Sequence, residues 1–349
     1  MLKRKPALAG LALLASAALG LSACSGSPAP SGSAAGNGGS GDGITVYNAQ
    51  HESLTKEWVD EFTKETGIKV TLRNGDDSEL SNQIIQEGAA SPADVFLTEN
   101  SPAMTQVENA GLFADIDKAT QDQVPANFRP STGKWTGIAA RSTVLAYNKD
   151  KVKEADLPKS LMDLSQPAWK GRWAASPSGA DFQAIVSAML ELKGESATLD
   201  WLKAMKDNSK AYKGNSTAMK AVNAGEVDMA VIYHYYWFGD QAKTGENSKN
   251  VALHYFKNQD PGAFVSISGG GVLKSSKHSA QAQEFLKFVT GKKGQQILQT
   301  GSSFEYPVGS EVAANKELVP LKDLQAPDVD AAKLNSPKVT DLMTQAGLL

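Results

Sequence analysis

The spacing of apolar residues after position 43 predicts strands and helices in alternation. Across 53–66, Leu54, Trp58 and Phe62 fall on one helical face, and Gly67 follows as a candidate C-terminal cap. The first block is predicted as strands 44–48, 68–72 and 93–98 alternating with helices 53–66, 77–88 and 101–111. This order predicts a parallel sheet with helices on both faces.

A second α/β block has the same pattern. Its strongest helix, 181–193, repeats Phe182, Ile185 and Met189 at helical spacing. The other elements are predicted as strands 145–147, 171–176, 227–233 and 264–273 and helices 199–205, 217–223, 280–289, 294–300 and 339–347. The glycines at 269–271 lack the lysine of a phosphate-binding loop and the spacing of a dinucleotide fingerprint, so they indicate a tight strand crossing.

The N-terminus is typical of an export signal. Basic residues at 3–5 precede the apolar run 7–21, which is shorter than the ~20 residues of a spanning helix. Cys24, the only cysteine, follows a small-residue cleavage site, where lipidation requires it; the alternative is an ordinary signal peptide with an incidental cysteine. We expect a lipoprotein signal peptide over 1–23, a lipid on Cys24, and a protein held at the outer face of the cell membrane.

The amino-acid composition predicts a tether and excludes some classes of partner and site. Residues 24–43 are mostly Gly, Ser, Ala and Pro, which predicts a disordered tether. Without the signal, 32 basic residues stand against 38 acidic ones, a net charge of −6 that argues against nucleic acid as a partner. A single cysteine excludes an internal disulfide and a cysteine-based metal site.

Candidate metal ligands follow the predicted strand ends: His51, Glu99, Tyr235 and Tyr236. Ligands of open parallel sheets bind beyond the carboxyl ends of the strands, so we expect these side chains to share a crevice. Imidazole and hard oxygen donors suit ferric iron, and one carboxylate with two phenolates balances its three charges. A tyrosine pKa of about 10 means that the cation itself must stabilise the phenolates.

A small anion is expected beside the metal. Ser178, Gly179 and Ala180 precede the predicted helix 181–193, and backbone N–H groups at a helix N-terminus hold anions. Such an anion would fill part of the octahedron that four protein ligands leave open. Arg141 is a further candidate contact for it.

Several other interpretations stay open. The tyrosines would also fit a packing role, His51 a hydrogen-bonded loop, Glu99 a helix N-terminus and Ser178 an ordinary cap. The same fold would also serve another solute, such as a phosphonate, sulfate or a polyamine. A secreted metal-assisted hydrolase is the third class, although the chain has neither a His-Glu-x-x-His run nor a Gly-x-Ser-x-Gly elbow.

Five segments resemble the bacterial ferric-ion-binding proteins of iron ABC transporters: 46–51, 91–96, 235–237, 260–263 and 305–307. The resemblance implies an α/β, two-lobed type II periplasmic-binding-protein fold, with each lobe a mainly parallel sheet flanked by helices and with hinge strands between the lobes. It implies an N-terminal lobe of 44–139 plus 264–312 and a C-terminal lobe of 140–263 plus 313–349. It also implies a monomer that makes and breaks no bond and delivers Fe(III) to an ABC permease and its ATPase.

The resemblance also assigns residues to roles. The family's iron ligands match His51, Glu99, Tyr235 and Tyr236, and its anion-holding residues match Ser178, Gly179, Ala180 and Asn215. The anion is expected to be carbonate, phosphate or citrate. Tyr233 stands where some members have asparagine, so it is a further candidate ligand that would replace Glu99 or His51.

Overall fold

The computed structural model describes residues 43–349. Its strands are β1 (Ile44–Asn48), β2 (Val70–Asn74), β3 (Val95–Leu97), β4 (Thr136–Asn148), β5 (Trp173–Ala175), β6 (Ser209–Ala211), β7 (Met229–Tyr233), β8 (Val251–His254) and β9 (Val265–Val272). Its α-helices are α1 (Glu52–Thr66), α2 (Asp77–Glu87), α3 (Ser101–Asn109), α4 (Lys118–Gln121), α5 (Ala180–Asn208), α6 (Asn215–Ala224), α7 (Tyr235–Lys243), α8 (Ser279–Thr290), α9 (Lys292–Thr300) and α10 (Ser336–Gln345).

The expected export features precede this region. The signal peptide over 1–23, the lipidated Cys24 and the tether up to residue 42 lie outside the described residues, which begin at Gly43. Within 43–349, none of the helices has both the length and the apolar character required to cross a membrane.

The sheet order is β2-β1-β3-β9-β4-β7-β5-β6, and β8 also pairs with β4. The outer pairs are parallel: β1 with β2 and β3, and β5 with β6 and β7. The pairs that involve β9 or β4 are antiparallel. The parallel arrangement predicted for the first three strands is therefore confirmed, and a central antiparallel zone separates it from the second parallel group.

Strand β4 runs through both halves of the sheet. From Thr136 to Ser142 it pairs with β9, and from Thr143 onward it pairs with β7 and β8. All thirteen of its residues are buried. The sequence pattern predicted only 145–147, because a strand covered on both faces has no apolar–polar alternation to mark it.

The two predicted helices 181–193 and 199–205 both lie within α5, on either side of Gly194, whose non-helical backbone (φ +79°) divides that element into two helical parts. Tyr235 and Tyr236 follow the end of β7 at Tyr233, as predicted, and they form the first turn of α7. The glycines at 269–271 lie within β9, where a Cβ on Gly269 would lie 2.3 Å from the side chain of Met104, so glycine is required by close packing.

Hydrophobic packing forms one cluster around α1 and another around α5. The first cluster packs Trp58 and Phe62 of α1 against Phe285 of α8. The second cluster packs Trp173 and Trp201 around α5. The loops that follow β1, β3 and β5 line one cavity together with the start of α7.

Candidate metal centre

Most of the predicted site residues meet around one cavity of about 540 Å³. Its lining includes His51, Glu99, Ser178, Gly179, Ala180, Asp181, Asn215 and Tyr236. A second cavity of about 410 Å³ shares His51 and Tyr236 and is also lined by Tyr235. Elements distant in sequence therefore bring the metal and anion candidates to the same place, as strand-end positioning predicts.

The two tyrosines of α7 share one acceptor. The hydroxyl groups of Tyr235 and Tyr236 both donate to Oδ2 of Asp181, at 3.1 and 2.9 Å. Their rings lie side by side, with centroids 4.4 Å apart. Asn215 Nδ2 donates to the same Oδ2 at 2.8 Å, and Asn100 Nδ2 donates to Oδ1 at 3.0 Å. The Asp181 carboxylate is thus the centre of the phenol cluster.

His51 lies between two carboxylates. Its Nε2 is 2.9 Å from Oε1 of Glu99, and its Nδ1 is 2.9 Å from Oε1 of Glu305. Its ring meets the ring of Tyr235 edge-on, with centroids 5.0 Å apart. The imidazole therefore connects the Glu99 side of the cavity to the tyrosine side.

Protonation states follow from this burial. Desolvation, together with the charge of Asp181, raises the pKa of Tyr235 and Tyr236 well above the usual phenol value. Burial alone would lower the pKa of His51, but its bonds to Glu305 and Glu99 outweigh burial and raise that pKa to about 10. At neutral pH, without a metal, both phenols are therefore un-ionised and His51 is a doubly protonated, positively charged imidazolium.

Two further candidates, Tyr233 for the metal and Arg141 for the anion, are buried and contact other protein groups. Tyr233 is fully buried, and its hydroxyl lies 3.3 Å from both Asn100 Oδ1 and the Asp181 carbonyl oxygen. Arg141 is also fully buried; its Nη2 lies 2.6 Å from Oε2 of Glu305, and its guanidinium sits 5.6 Å from the Tyr235 ring centroid. Neither is among the residues that line the two cavities.

The anion candidates lie at helix N-termini, as predicted. Gly179 is the N-cap of α5 and Ala180 its first residue, while Asn215 opens α6. Ser178, Gly179 and Ala180 line the cavity. The Asn215 amide, however, is directed at Asp181 rather than at open space.

Sequence reasoning missed Asp181 and Glu305 as site residues. Asp181 occupies the first turn of α5, where an acid is already explained by the helix dipole, so its pattern gave no further signal. Glu305 lies in one of the segments that carry the family resemblance, and only its tertiary contacts show that it reaches His51.

The side chains around the cavity can coordinate a hard cation only if the tyrosines are among the ligands. Within 43–349, no three His, Cys, Asp or Glu side chains are arranged to hold a metal by themselves. Octahedral metal–oxygen bonds of about 2.0–2.1 Å place adjacent ligands about 2.9 Å apart. The separations of 2.9 to 3.1 Å from Asp181 to the two tyrosines, and of 2.9 Å from His51 to Glu99, are of that size.

Comparison with known proteins identifies the family. The family described as bacterial extracellular solute-binding protein matches residues 90–335. The Fe(3+)-binding periplasmic protein of Serratia marcescens is 72% identical over 307 residues, which cover 88% of this chain and 91% of that protein. The chain belongs to the bacterial ferric-iron-binding periplasmic proteins. The family is one of solute-binding proteins rather than enzymes.

Two further proteins extend the comparison. The major ferric iron-binding protein of Neisseria meningitidis is 38% identical over 308 residues, covering 87% of this chain and 93% of that protein. The crystal structure of iron-bound HitA from Pseudomonas aeruginosa superposes with a TM-score of 0.83 at 44% identity, covering 87% of this chain and 99% of HitA. The expected two-lobed type II fold is thereby confirmed.

Proposed function

We propose that this protein captures ferric iron in the cleft between its lobes and delivers it to an ABC permease and its ATPase. The observation that carries the proposal is the pair of phenol groups on one oxygen of Asp181, beside the His51–Glu99 pair. Phenolate and carboxylate oxygens with one imidazole form a hard donor set that suits Fe(III). The relatives named for ferric iron support the same cargo.

Five side chains supply the ligands: His51, Glu99, Asp181, Tyr235 and Tyr236. On binding, one iron would displace three protons: the one on Nε2 of His51, which lies 2.9 Å from Oε1 of Glu99, and the two that the phenols donate to Asp181. Tyr233 stays outside this set, since its buried hydroxyl is held by Asn100 and the Asp181 backbone.

Asp181 reduces the need for a bound anion. Two carboxylates and two phenolates supply four negative charges, which already exceed the three of Fe(III). With five protein ligands, one octahedral position remains for water or for an anion at Ser178, Gly179 and Ala180. Carbonate, phosphate or citrate therefore acts as an auxiliary ligand in this proposal, not as a required one.

Delivery of iron to the permease requires that the protein is exported and that its lobes move. We propose that residues 1–23 direct export, that Cys24 carries the lipid anchor, and that the lobes 44–139 plus 264–312 and 140–263 plus 313–349 open and close about β4 and β9. The way β4 changes partners between Ser142 and Thr143 supports a hinge there. The protein would work as a monomer at the outer face of the cell membrane.

Thermal unfolding tests the choice of cargo. A ligand that binds only the folded state at 100 times its Kd stabilises it by about 2.7 kcal/mol, so ferric citrate should raise the unfolding midpoint by several degrees. Citrate alone, sulfate, a phosphonate and a polyamine serve as controls, and we expect no comparable shift from them. A shift produced by one of those solutes and not by iron would replace the proposal with a binding protein for that solute.

Proton release provides a second test. Iron binding requires a neutral His51 and two phenolates, so about three protons should leave per iron at pH 7, and affinity should fall as the pH falls. A pH indicator in weakly buffered solution measures the release after correction for protons taken up by the chelator that delivers the iron. A release of one proton or fewer would mean that the phenols are not ligands.

A further inference from the structure

Glu305 is a fully buried acid with a nitrogen-bearing partner close to each of its carboxylate oxygens. Oε1 lies 2.9 Å from Nδ1 of His51, and Oε2 lies 2.6 Å from Nη2 of Arg141. Gln50 Nε2 donates to Oε2 at 3.2 Å. The carboxylate therefore joins the candidate iron ligand His51 to a buried cation on β4.

This contact decides which nitrogen of His51 faces the cavity. A ring nitrogen hydrogen-bonded to a carboxylate keeps its proton, and the other nitrogen then carries the lone pair for a metal. With Nδ1 bound to Glu305, Nε2 points to Glu99 and the cavity. We infer that Glu305 is a positioning residue for iron capture, which holds His51 in the Nδ1–H tautomer with Nε2 aimed at the metal. This inference rests on the proposed function.

The backbone around Glu305 makes it a rigid support. Tyr306 exchanges two hydrogen bonds with Ala140 of β4, at 2.9 and 2.8 Å. The carbonyl of Phe304 accepts a hydrogen bond from Nε2 of the buried His234 at 2.8 Å. Both neighbours of Glu305 are thus fixed to elements next to the tyrosines, so the orientation of His51 is set by the strand about which we propose that the lobes move.

Glu305→Gln tests the inference because it preserves shape and removes the charge. Loss of an outer partner of a metal-bound histidine typically costs 10–100-fold in metal affinity, so we expect a drop of about that size in competition with citrate. Because the change leaves Arg141 buried without its partner and so destabilises the fold, Arg141→Gln/Glu305→Gln is measured in parallel. Tyr306→Phe is the matched control: it removes the hydrogen bond to Val319 in the same loop, lowers the unfolding midpoint and leaves iron affinity unchanged.

A double-mutant cycle separates positioning from general stability. In a His51→Gln background, Glu305→Gln should cost less than about threefold, because the group it orients is gone. In ¹⁵N NMR of the protein loaded with Ga³⁺, His51 should be protonated at Nδ1 in the unmodified protein, and this signal should be lost in Glu305→Gln.

Each outcome has a distinct meaning. If the unmodified protein binds iron and Glu305→Gln binds it equally well, the inference fails and the proposed function stands. An equal loss with and without His51 assigns Glu305 a merely structural role and also overturns the inference. If the unmodified protein binds no iron, the proposed function and the inference fall together.

Discussion

The double variant Tyr235→Phe/Tyr236→Phe is expected to lose tight iron binding. Phenylalanine keeps the ring packing, with centroids 4.4 Å apart, and removes only the oxygens that become phenolates. Loss of an outer-sphere partner of a metal ligand already lowers metal affinity 10–100-fold. We therefore expect the loss of each directly bound phenolate to lower iron affinity more than about 100-fold, and the loss of both to lower it more than about 10⁴-fold if the effects add. Iron retained after gel filtration in citrate buffer, measured by elemental analysis, checks this.

Tyr233→Phe is the matched control for the pair. It removes a phenol from the same segment, one whose hydroxyl contacts Asn100 and the Asp181 backbone instead of the Asp181 carboxylate. We expect iron to be retained at the level of the unmodified protein. If Tyr233→Phe lost iron while the double variant kept it, the ligands would have been assigned to the wrong tyrosines.

Asp181→Asn should have the second largest effect. The amide keeps the size of the side chain but supplies no negative charge to the metal. Its NH2 group also cannot accept the hydrogen bond that one carboxylate oxygen accepts from Asn100 or from Asn215. We expect affinity to fall more than about 100-fold in anion-free buffer. Added carbonate or phosphate should restore part of it, since the N-terminus of α5 at Gly179 and Ala180 can then hold the missing charge.

Asp94→Asn is the control for Asp181→Asn. Asp94 is also a buried carboxylate, which accepts hydrogen bonds from the Thr45 amide and the Ser276 hydroxyl, and it lines neither cavity. The change should lower stability without altering iron affinity. The role of Asp181 would be contradicted if Asp181→Asn bound iron normally without added anion, or if the unmodified protein required one.

The sequence was most informative where structure is local and periodic. Strand β1 has the predicted limits, and α1 ends at Gly67 in the left-handed conformation, because an amphipathic face and a glycine cap are read directly from the order of residues. His51, Glu99, Tyr236 and the Ser178–Gly179–Ala180 turn do converge on one cavity. Strand-end positions are enough to predict that meeting.

The sequence was least informative about the polar side chains that are buried around the candidate site. Arg141, Ser142 and Thr143 interrupt β4 with polar residues, yet the strand is buried throughout. Such departures from pattern are expected at functional sites. The contacts of Asp181 with the tyrosines and of Glu305 with His51 join residues 54 to 254 positions apart, and no local pattern encodes them.

The most direct test is a visible absorption titration of the purified protein with ferric nitrilotriacetate in buffer free of added carbonate and phosphate. Phenolate–iron charge transfer should give a visible band that rises linearly and saturates at one iron per protein. The band should be much weaker in Tyr235→Phe and in Tyr236→Phe. A protein that stays colourless at equimolar iron, or a band that is unchanged in both variants, would contradict capture of ferric iron by this tyrosine pair.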